Sequence, residues 1–239
     1  MQIQAILFDL GNTLSKSASF VEALLQLENT PFSQSLGLDR EALTTIGEEF
    51  GKNIRELYSK DDLTQPHWFD VWQAAAINSS INLTDVQITE LSYAHLNAFL
   101  QQSQVEPYAI PLLSMIKENQ IPLGLISNVT GPVELFAADF QNKGMADYFD
   151  VIIWSNVIGV RKPDKRIFQT ALDGLNLQAS KQIIMVGDNE TADILGGNAM
   201  GFTTIKVIDD ETQEDSAADY VVNKVGMIEF FKSNIIETI

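Results

Sequence analysis

Side chains of kinds that complement one another occur at the ends of apolar stretches in this chain of 239 residues. Asp9, Ser127 and Asp188 each follow a short apolar run, Lys162 lies in a turn-rich loop, and Asp193 adds another carboxylate. One ammonium, one hydroxyl and two or three carboxylates suit a phosphoryl group held with a divalent metal, because hard cations such as Mg²⁺ take oxygen ligands. The pattern therefore indicates phosphate chemistry with Mg²⁺, provided that the fold brings these residues together.

A parallel sheet would bring them together. Apolar runs typical of buried strands alternate with helical patterns from about residue 107 onwards, which indicates βαβ units. In such a sheet the carboxyl ends of the strands lie at one edge, where ligands bind. The predicted fold class is therefore α/β, with a doubly wound parallel sheet. The predicted strands are 3–8, 121–126, 151–154, 183–186, 203–207 and 220–222, and the predicted helices are 110–120, 133–141, 165–175, 191–200 and 225–235, with an acidic loop at 209–215.

A helical insert interrupts this pattern after the first strand. Asp39 is a plausible N-cap for a helix whose apolar residues recur three and four apart, and Thr84 with Gln87 forms a capping box before another helix. We predict four helices here, and we expect Tyr58, His67, Trp68, Trp72 and His95 to pack within the insert rather than bind substrate. The predicted division is an α/β core domain of residues 1–15 and 104–239 and a helical domain of residues 16–103.

Composition limits the possible partners. Fifteen Lys and Arg residues against 32 Asp and Glu residues give a net charge of −17, which repels the phosphate backbone of nucleic acids and anionic membranes. No run is long enough to span a membrane and the first strand begins at once, so we expect a cytoplasmic protein. The absence of cysteine excludes disulfides and thiolate chemistry. The sequence leaves open whether the protein is a monomer or a homodimer.

Each candidate residue also has a purely structural interpretation. Ser127 and Asn128 could cap the segment that follows them, and Asp188 and Asp193 could line the first turn of a helix. Lys162 taken alone is more typical of surface charge. Several of these residues follow predicted strands, in an order that a parallel sheet could bring to one edge. Their joint occurrence therefore favours a shared site.

Four motifs together resemble those of the haloacid dehalogenase-like hydrolase superfamily. The first motif of that family, Asp-x-Asp-Gly-Thr after an apolar strand, is similar to FDLGNTL at Asp9 and Thr13. ISN resembles the second motif at Ser127, and GVRKPD resembles the third at Lys162. VGDNETAD resembles the fourth, with Asp188 and a second carboxylate five residues later. The likeness spans nearly the whole chain, and the helical insert is what this family calls a type 1 cap.

The resemblance implies a role for each matching residue in a phosphohydrolase that acts on a small phosphorylated substrate. Asp9 would be the nucleophile and would be phosphorylated transiently, Lys162 would neutralise charge, and Ser127 would hydrogen-bond a phosphoryl oxygen. The implied Mg²⁺ ligands are Asp9, the backbone carbonyl of Gly11, Asp188 and Asp193. The implied substrate-binding residues are Asn12, Thr13, Ser127, Asn128 and Lys162.

Position 11 departs from the family pattern, because phosphatases of this family usually carry there a second Asp that acts as general acid and base. Such a group is typically worth about 10²–10⁴-fold in rate. Three alternatives therefore stay open: a haloacid dehalogenase, which also lacks this Asp and needs no metal, a phosphonoacetaldehyde hydrolase, which would need a cap lysine such as Lys52 or Lys60, and a non-catalytic binding protein on the same scaffold.

Overall fold

The computed structural model describes residues 3–209 and 215–236. Contacts between residues divide the chain into two compact units. The core unit consists of Met1–Lys16, Val105–Asn128 and Phe140–Ile239, and the helical unit of Ser17–Gln104 and Val129–Asp139. The short segment 129–139 thus belongs with the helical unit, although the boundaries predicted from the sequence assign it to the core.

Six parallel strands form the sheet of the core unit, which confirms the predicted α/β class. In chain order the strands of the described residues are β1 (Ala5–Phe8), β2 (Ser15–Lys16), β3 (Gln104–Val105), β4 (Leu123–Ser127), β5 (Val151–Trp154), β6 (Ile183–Gly187), β7 (Thr203–Ile208) and β8 (Tyr220–Asn223). The order across the sheet is β5-β4-β1-β6-β7-β8, so the strand that ends before Asp9 lies between β4 and β6. The short strands β2 and β3 lie where the chain passes from one unit to the other.

Helices account for most of the remaining described residues. They are α1 (Phe20–Leu25), α2 (Pro31–Leu36), α3 (Arg40–Tyr58), α4 (Trp68–Asn78), α5 (Asp85–Gln102), α6 (Ala109–Glu118), α7 (Val133–Asn142), α8 (Ser155–Ile158), α9 (Lys165–Leu175), α10 (Gly196–Met200) and α11 (Met227–Phe231). Short 3₁₀ segments cover Ala146–Tyr148 and Lys224–Gly226, and π-helical segments cover Glu190–Leu195 and Lys232–Ile236. No helix in the described ranges is long and apolar enough to cross a membrane.

Side chains of β1 are buried on both faces of the sheet, as its continuous apolar sequence predicts. Successive side chains of a strand point to opposite faces. Leu7 belongs to the apolar cluster that includes Phe168 of α9, whereas the Phe8 ring stacks on Phe231 of α11 with the ring centres 6.3 Å apart. Helices on both faces therefore hold β1 in the middle of the sheet, and Asp9 follows directly from this rigid strand.

Five helices, not the four predicted, occupy residues 20–102 of the helical unit, all of which the structure describes. The missed helix is α2, which begins with Pro31 after the N-cap Thr30 and ends at Gly37 in a left-handed conformation. The predicted Asp39 N-cap and the Thr84–Gln87 capping box are both confirmed.

The interior of the helical unit is aromatic. Trp72 stacks on Phe50 with the ring centres 4.2 Å apart, and His95 is buried against the Trp72 ring. Burial lowers the pKa of His95 to about 4, although its hydrogen bond to the carbonyl of Phe20 acts in the opposite direction. Trp72 and His95 therefore pack inside the insert, as predicted, and Trp68 packs against the same apolar cluster, whereas the side chain of His67 is 66% exposed, so the prediction for His67 is wrong.

Two predicted elements of the core unit differ in detail from the structure. The predicted helix 191–200 is a π-helical segment followed by α10, and the predicted helix 225–235 comprises a 3₁₀ turn, α11 and a second π-helical segment. Of the acidic loop predicted at 209–215, residues 210–214 lie outside the described residues.

Candidate active site

Asp9 begins a tight loop at the carboxyl end of β1. Its backbone N–H donates to the carbonyl of Val186 in β6 at 2.9 Å, so the sheet pairing continues to this residue. Beyond it, the N–H groups of Leu14 and Ser15 both donate to the carbonyl of Leu10 at 2.9 Å. Asn12 has φ 54° in this loop, a left-handed conformation that asparagine tolerates better than most residues. The loop is thus closed by its own backbone.

Thr13 supports Asp9 from within this loop. It is fully buried, and its hydroxyl donates to Oδ2 of Asp9 at 3.3 Å. The carbonyl of Thr13 in turn accepts a hydrogen bond from the hydroxyl of Tyr108. Burial, and then the negative charges of Glu106, Asp188 and Asp9, raise the pKa of Tyr108, so this hydroxyl keeps its proton as a hydrogen-bond donor.

Lys162 is the centre of the charged cluster. Its side chain is 1% exposed, and its ammonium lies 2.7 Å from Oδ1 of Asp9 and 2.6 Å from Oδ1 of Asp193. Burial alone would lower the pKa of Lys162, but the charges of Asp193 and Asp9 and their hydrogen bonds raise it. Lys162 therefore stays protonated and holds together two carboxylates that would otherwise repel each other.

Asn128 fixes the backbone that carries Lys162. Its amide nitrogen donates to the Lys162 carbonyl at 3.1 Å, and its amide oxygen accepts from the Lys162 N–H at 2.8 Å. Asn128 follows Ser127, which is buried at the end of β4, the strand next to β1. The ISN sequence therefore brings one hydroxyl to the sheet edge and uses the neighbouring amide to position the lysine loop.

Asp193 reaches Lys162 from the π-helical segment because Gly187 leaves room for it. A Cβ atom at position 187 would lie 2.3 Å from the Asp193 carboxyl carbon, a separation that real Cβ atoms do not show. Oδ2 of Asp193 accepts from the Asn189 N–H at 3.0 Å, and the Asn189 side chain caps the segment by accepting from the Ala192 N–H at 2.8 Å. Both oxygens of Asp193 thus already accept hydrogen bonds.

Asp188 carries the charge that the cluster does not balance. Its carboxylate and those of Asp9 and Asp193 each offer an oxygen within 4.8 Å of the others, and Lys162 is the ammonium that pairs with two of them. Burial, followed by the charges of Asp9 and Asp193, raises the pKa of Asp188 to about 7. A divalent cation would remove this repulsion, and oxygen ligands are the kind that Mg²⁺ prefers.

The donor set therefore fits a hard divalent cation. Asp9 and Asp193 each accept hydrogen bonds at both carboxylate oxygens, so these bonds do not rank the two, and the candidate ligands are the three carboxylates of Asp9, Asp188 and Asp193. Gly11 lies in the loop after β1, where its carbonyl is the third ligand that the family resemblance implies. The metal-binding roles of Gly11 and Asp193 and the substrate-binding roles of Asn12, Thr13, Ser127, Asn128 and Lys162 stay predictions.

Within the core unit, the structure brings most of the predicted residues together. Asp9, Thr13, Lys162 and Asp193 are in direct contact, and Asp188 lies in the same carboxylate group. Ser127 and Asn128 end the neighbouring strand, and Gly11 and Asn12 lie in the loop after Asp9. Sequence reasoning missed Tyr108, which has no local signal, and the capping role of Asn189, which its type and position before a helix could have indicated.

The family model of the haloacid dehalogenase-like hydrolases matches residues 3–201 of this chain. This match covers most of the chain, and its residues include the whole charged cluster. The chain therefore belongs to the haloacid dehalogenase-like hydrolases, and it is a hydrolase of that family.

Several curated proteins are similar in sequence. The pyrimidine 5′-nucleotidase YjjG of Escherichia coli is 35% identical over 120 residues, which are 50% of this chain and 52% of that protein. A ribulose-1,5-bisphosphate 5-phosphatase of Halopiger xanaduensis is 32% identical over 129 residues, which are 54% and 52%. The chain thus spans about half the length of these two relatives. A glyceraldehyde 3-phosphate phosphatase of Methanocaldococcus jannaschii is 25% identical over 227 residues, which are 93% and 94%.

Solved structures of two enzyme classes share the fold. A HAD phosphatase from Thermococcus onnurineus superposes with a TM-score of 0.64 at 22% identity, covering 97% of this chain and 98% of that chain. The L-2-haloacid dehalogenase from Xanthobacter autotrophicus gives 0.68 at 16% identity, covering 98% and 100%. The fold alone therefore does not distinguish a phosphatase from a dehalogenase.

We expect Asp188→Asn to remove a pH dependence of stability. The folded chain keeps the Asp188 proton up to about pH 7, whereas an unfolded chain releases it near about pH 4. The folded state therefore binds more protons in this window, and the free energy of unfolding falls as the pH rises through it. At about pH 8 the metal-free variant should be more stable than the wild type by about 1 kcal/mol or more, and near about pH 4 this advantage should disappear.

Urea unfolding in the presence of a chelator measures this difference. Asp173→Asn, which changes an exposed carboxylate on α9, is the matched control and should show no such gain. Equal stability of wild type and Asp188→Asn at both pH values would contradict the electrostatic description of the cluster.

Proposed function

We propose that this protein is a Mg²⁺-dependent phosphohydrolase that acts on a small phosphorylated metabolite through an aspartyl-phosphate at Asp9. The observation that carries the proposal is the buried Lys162 ammonium, 2.7 Å from Asp9 and 2.6 Å from Asp193, beside the third carboxylate of Asp188. Phosphoryl transfer depends mainly on positioning and on charge stabilisation, and this cluster supplies both.

The first chemical step would use Asp9 as the nucleophile. An oxygen of its carboxylate forms a bond to phosphorus, the bond from phosphorus to the leaving oxygen breaks, and the leaving group takes that electron pair. Thr13 fixes the orientation of the carboxylate through its hydrogen bond to Oδ2. Lys162 offsets negative charge on the nucleophile and on the phosphoryl oxygens, and Ser127 donates its hydroxyl to one of those oxygens. A bound Mg²⁺, held by Asp9, Asp188 and the Gly11 carbonyl, would supply further positive charge.

The second step would regenerate Asp9. A water oxygen forms a bond to phosphorus, the bond from phosphorus to the Asp9 oxygen breaks, and phosphate leaves as the water proton passes to solvent. Splitting one displacement into two is the advantage of a carboxylate nucleophile. Lys162 remains paired with Asp193 throughout, so the ammonium stays in place while the charge on Asp9 changes.

The names of the relatives support a phosphorylated substrate. YjjG is a nucleotidase, and the other two curated relatives above are phosphatases of sugar or triose phosphates. These proteins differ in substrate, so they support the reaction class and leave the metabolite open.

The competing proposal is a haloacid dehalogenase, in which Asp9 would attack carbon without a metal. Gly11 favours it, because that reaction needs no acid at position 11. The third carboxylate, that of Asp188, argues against it, since a group of three carboxylates has a repulsion and a desolvation cost that a bound cation would offset. We therefore prefer the phosphohydrolase.

We expect the wild type to release phosphate from an aryl phosphate or a sugar phosphate only when Mg²⁺ is present. Asp9→Asn removes the nucleophile, so its rate should fall to the level without enzyme. Asp173→Asn should keep the wild-type rate because that carboxylate is exposed on α9. A phosphate assay over a substrate panel measures these rates. Chloride release from 2-haloacids without metal, together with no phosphate release, would favour the dehalogenase instead.

Gly11→Asp should raise turnover of poor leaving groups selectively. A carboxyl group at position 11 could protonate an alkoxide as it leaves, which is worth about 10²–10⁴-fold. An aryl phosphate needs no such proton, so its rate should change far less.

Gly11→Asn is the matched control, because it has nearly the same shape and carries no acidic proton. We expect it to leave the ratio of kcat/KM for alkyl and aryl phosphates at the wild-type value. An equal gain from Asn and Asp, or a loss from both, would show that proton transfer at position 11 does not limit this enzyme.

A further inference from the structure

We infer that Glu190 and Lys206 form a positioning pair that holds the Asp188 carboxylate in place for the metal. This inference rests on the proposed function insofar as it treats Asp188 as a metal ligand. Glu190 lies within the fourth motif but is neither of its two matching carboxylates, Lys206 lies outside the motifs, and neither residue is in the charged cluster around Lys162. Glu190 is the first residue of the π-helical segment Glu190–Leu195, and Lys206 lies on β7.

Lys206 interacts with one residue before Asp188 in the sequence and with one residue after it. Its backbone is aligned in parallel register with Gly187, the residue immediately before Asp188. Its ammonium reaches over to Oε2 of Glu190, two residues after Asp188, at 3.2 Å. The same lysine thus interacts with Gly187 through its backbone and with Glu190 through its side chain. These two interactions restrict the conformation of the chain at Asp188.

Glu190 also ties this turn to a third segment. Its Oε1 accepts from the Ala217 N–H at 2.8 Å, and its Oε2 accepts from the Ser216 hydroxyl at 2.8 Å. Burial raises the pKa of Glu190, but the hydrogen bonds from Ala217, Ser216 and Lys206 outweigh it and lower the pKa overall. The carboxylate is therefore ionised and accepts from three donors at once.

The Lys206 side chain is more deeply buried than that of its partner Glu190. Its side chain is 8% exposed, whereas that of Glu190 is 33% exposed. A charged ammonium removed from water needs a partner, and a buried pair that loses one member is strongly destabilised. The pairing of Lys206 with Glu190 therefore stabilises the turn from residue 187 to residue 190.

A residue that orients a metal ligand affects metal affinity, typically by about 10–100-fold when it is changed. Glu190→Gln and Lys206→Met each break the ionic link. Each removes one charge of a partly buried ion pair, so each should lower the melting temperature as well. The double variant carries neither charge and should regain most of that stability.

Isothermal titration calorimetry of the full-length protein with MgCl₂ separates a positioning role from a structural one. We expect the Kd for Mg²⁺ to rise about 10-fold in both single variants and to stay raised in the double variant, although its melting temperature recovers. Saturating Mg²⁺ should then restore phosphate release. Recovery of Mg²⁺ affinity in parallel with stability would overturn the inference, since the pair would then be merely structural.

Lys181→Met is the matched control. Lys181 pairs with Asp219 at 3.0 Å and donates to the Phe202 carbonyl at 2.9 Å, so it lies before the amino ends of β6 and β7 and far along these strands from Asp188. This variant should keep the wild-type Kd for Mg²⁺. Wild-type affinity in all Glu190 and Lys206 variants would overturn the inference and leave the proposed function standing. No Mg²⁺ binding by the wild type would overturn both.

Discussion

The buried ammonium of Lys162 is the interaction on which the rest of the site depends. It lies between the carboxylates of Asp9 and Asp193 and is almost completely removed from water. Breaking a buried ion pair by removing one partner typically costs about 3–5 kcal/mol, so each of the three groups constrains the other two. The segments that carry them are far apart in sequence and are brought to one place by the parallel sheet. The sheet thus fixes the cluster, and the cluster fixes the geometry of the nucleophile.

Several backbone features serve this arrangement. Gly187 leaves space for Asp193 to approach the strand end, and the reciprocal amide bonds of Asn128 hold the backbone of Lys162. The cluster contains three carboxylates, and Lys162 pairs with those of Asp9 and Asp193. The additional negative charge of Asp188 makes the site suitable for a divalent cation.

The sequence predicted the strand ends well because the relevant signals are local. An apolar run followed by Asp9 or Asp188 can be recognised without knowing the fold, and the order of motifs then gives the family. Tyr108 and Lys206 could not be predicted, because their roles come from contacts with distant segments and neither sequence context differs from that of an ordinary helix start or strand. The missed helix α2 is a different case, since its N-cap Thr30 and its terminal glycine were available as signals.

The proposed mechanism requires that the substrate phosphorylate Asp9. Acid quenching during turnover with Mg²⁺, followed by proteolysis and mass spectrometry, detects this intermediate. We expect one phosphoryl group on the peptide that contains Asp9, lost on treatment with hydroxylamine and absent in Asp9→Asn. Metal-dependent phosphate release in H₂¹⁸O without any phosphorylated Asp9 peptide, at times short enough to trap an intermediate, would contradict it and would point to direct attack by water.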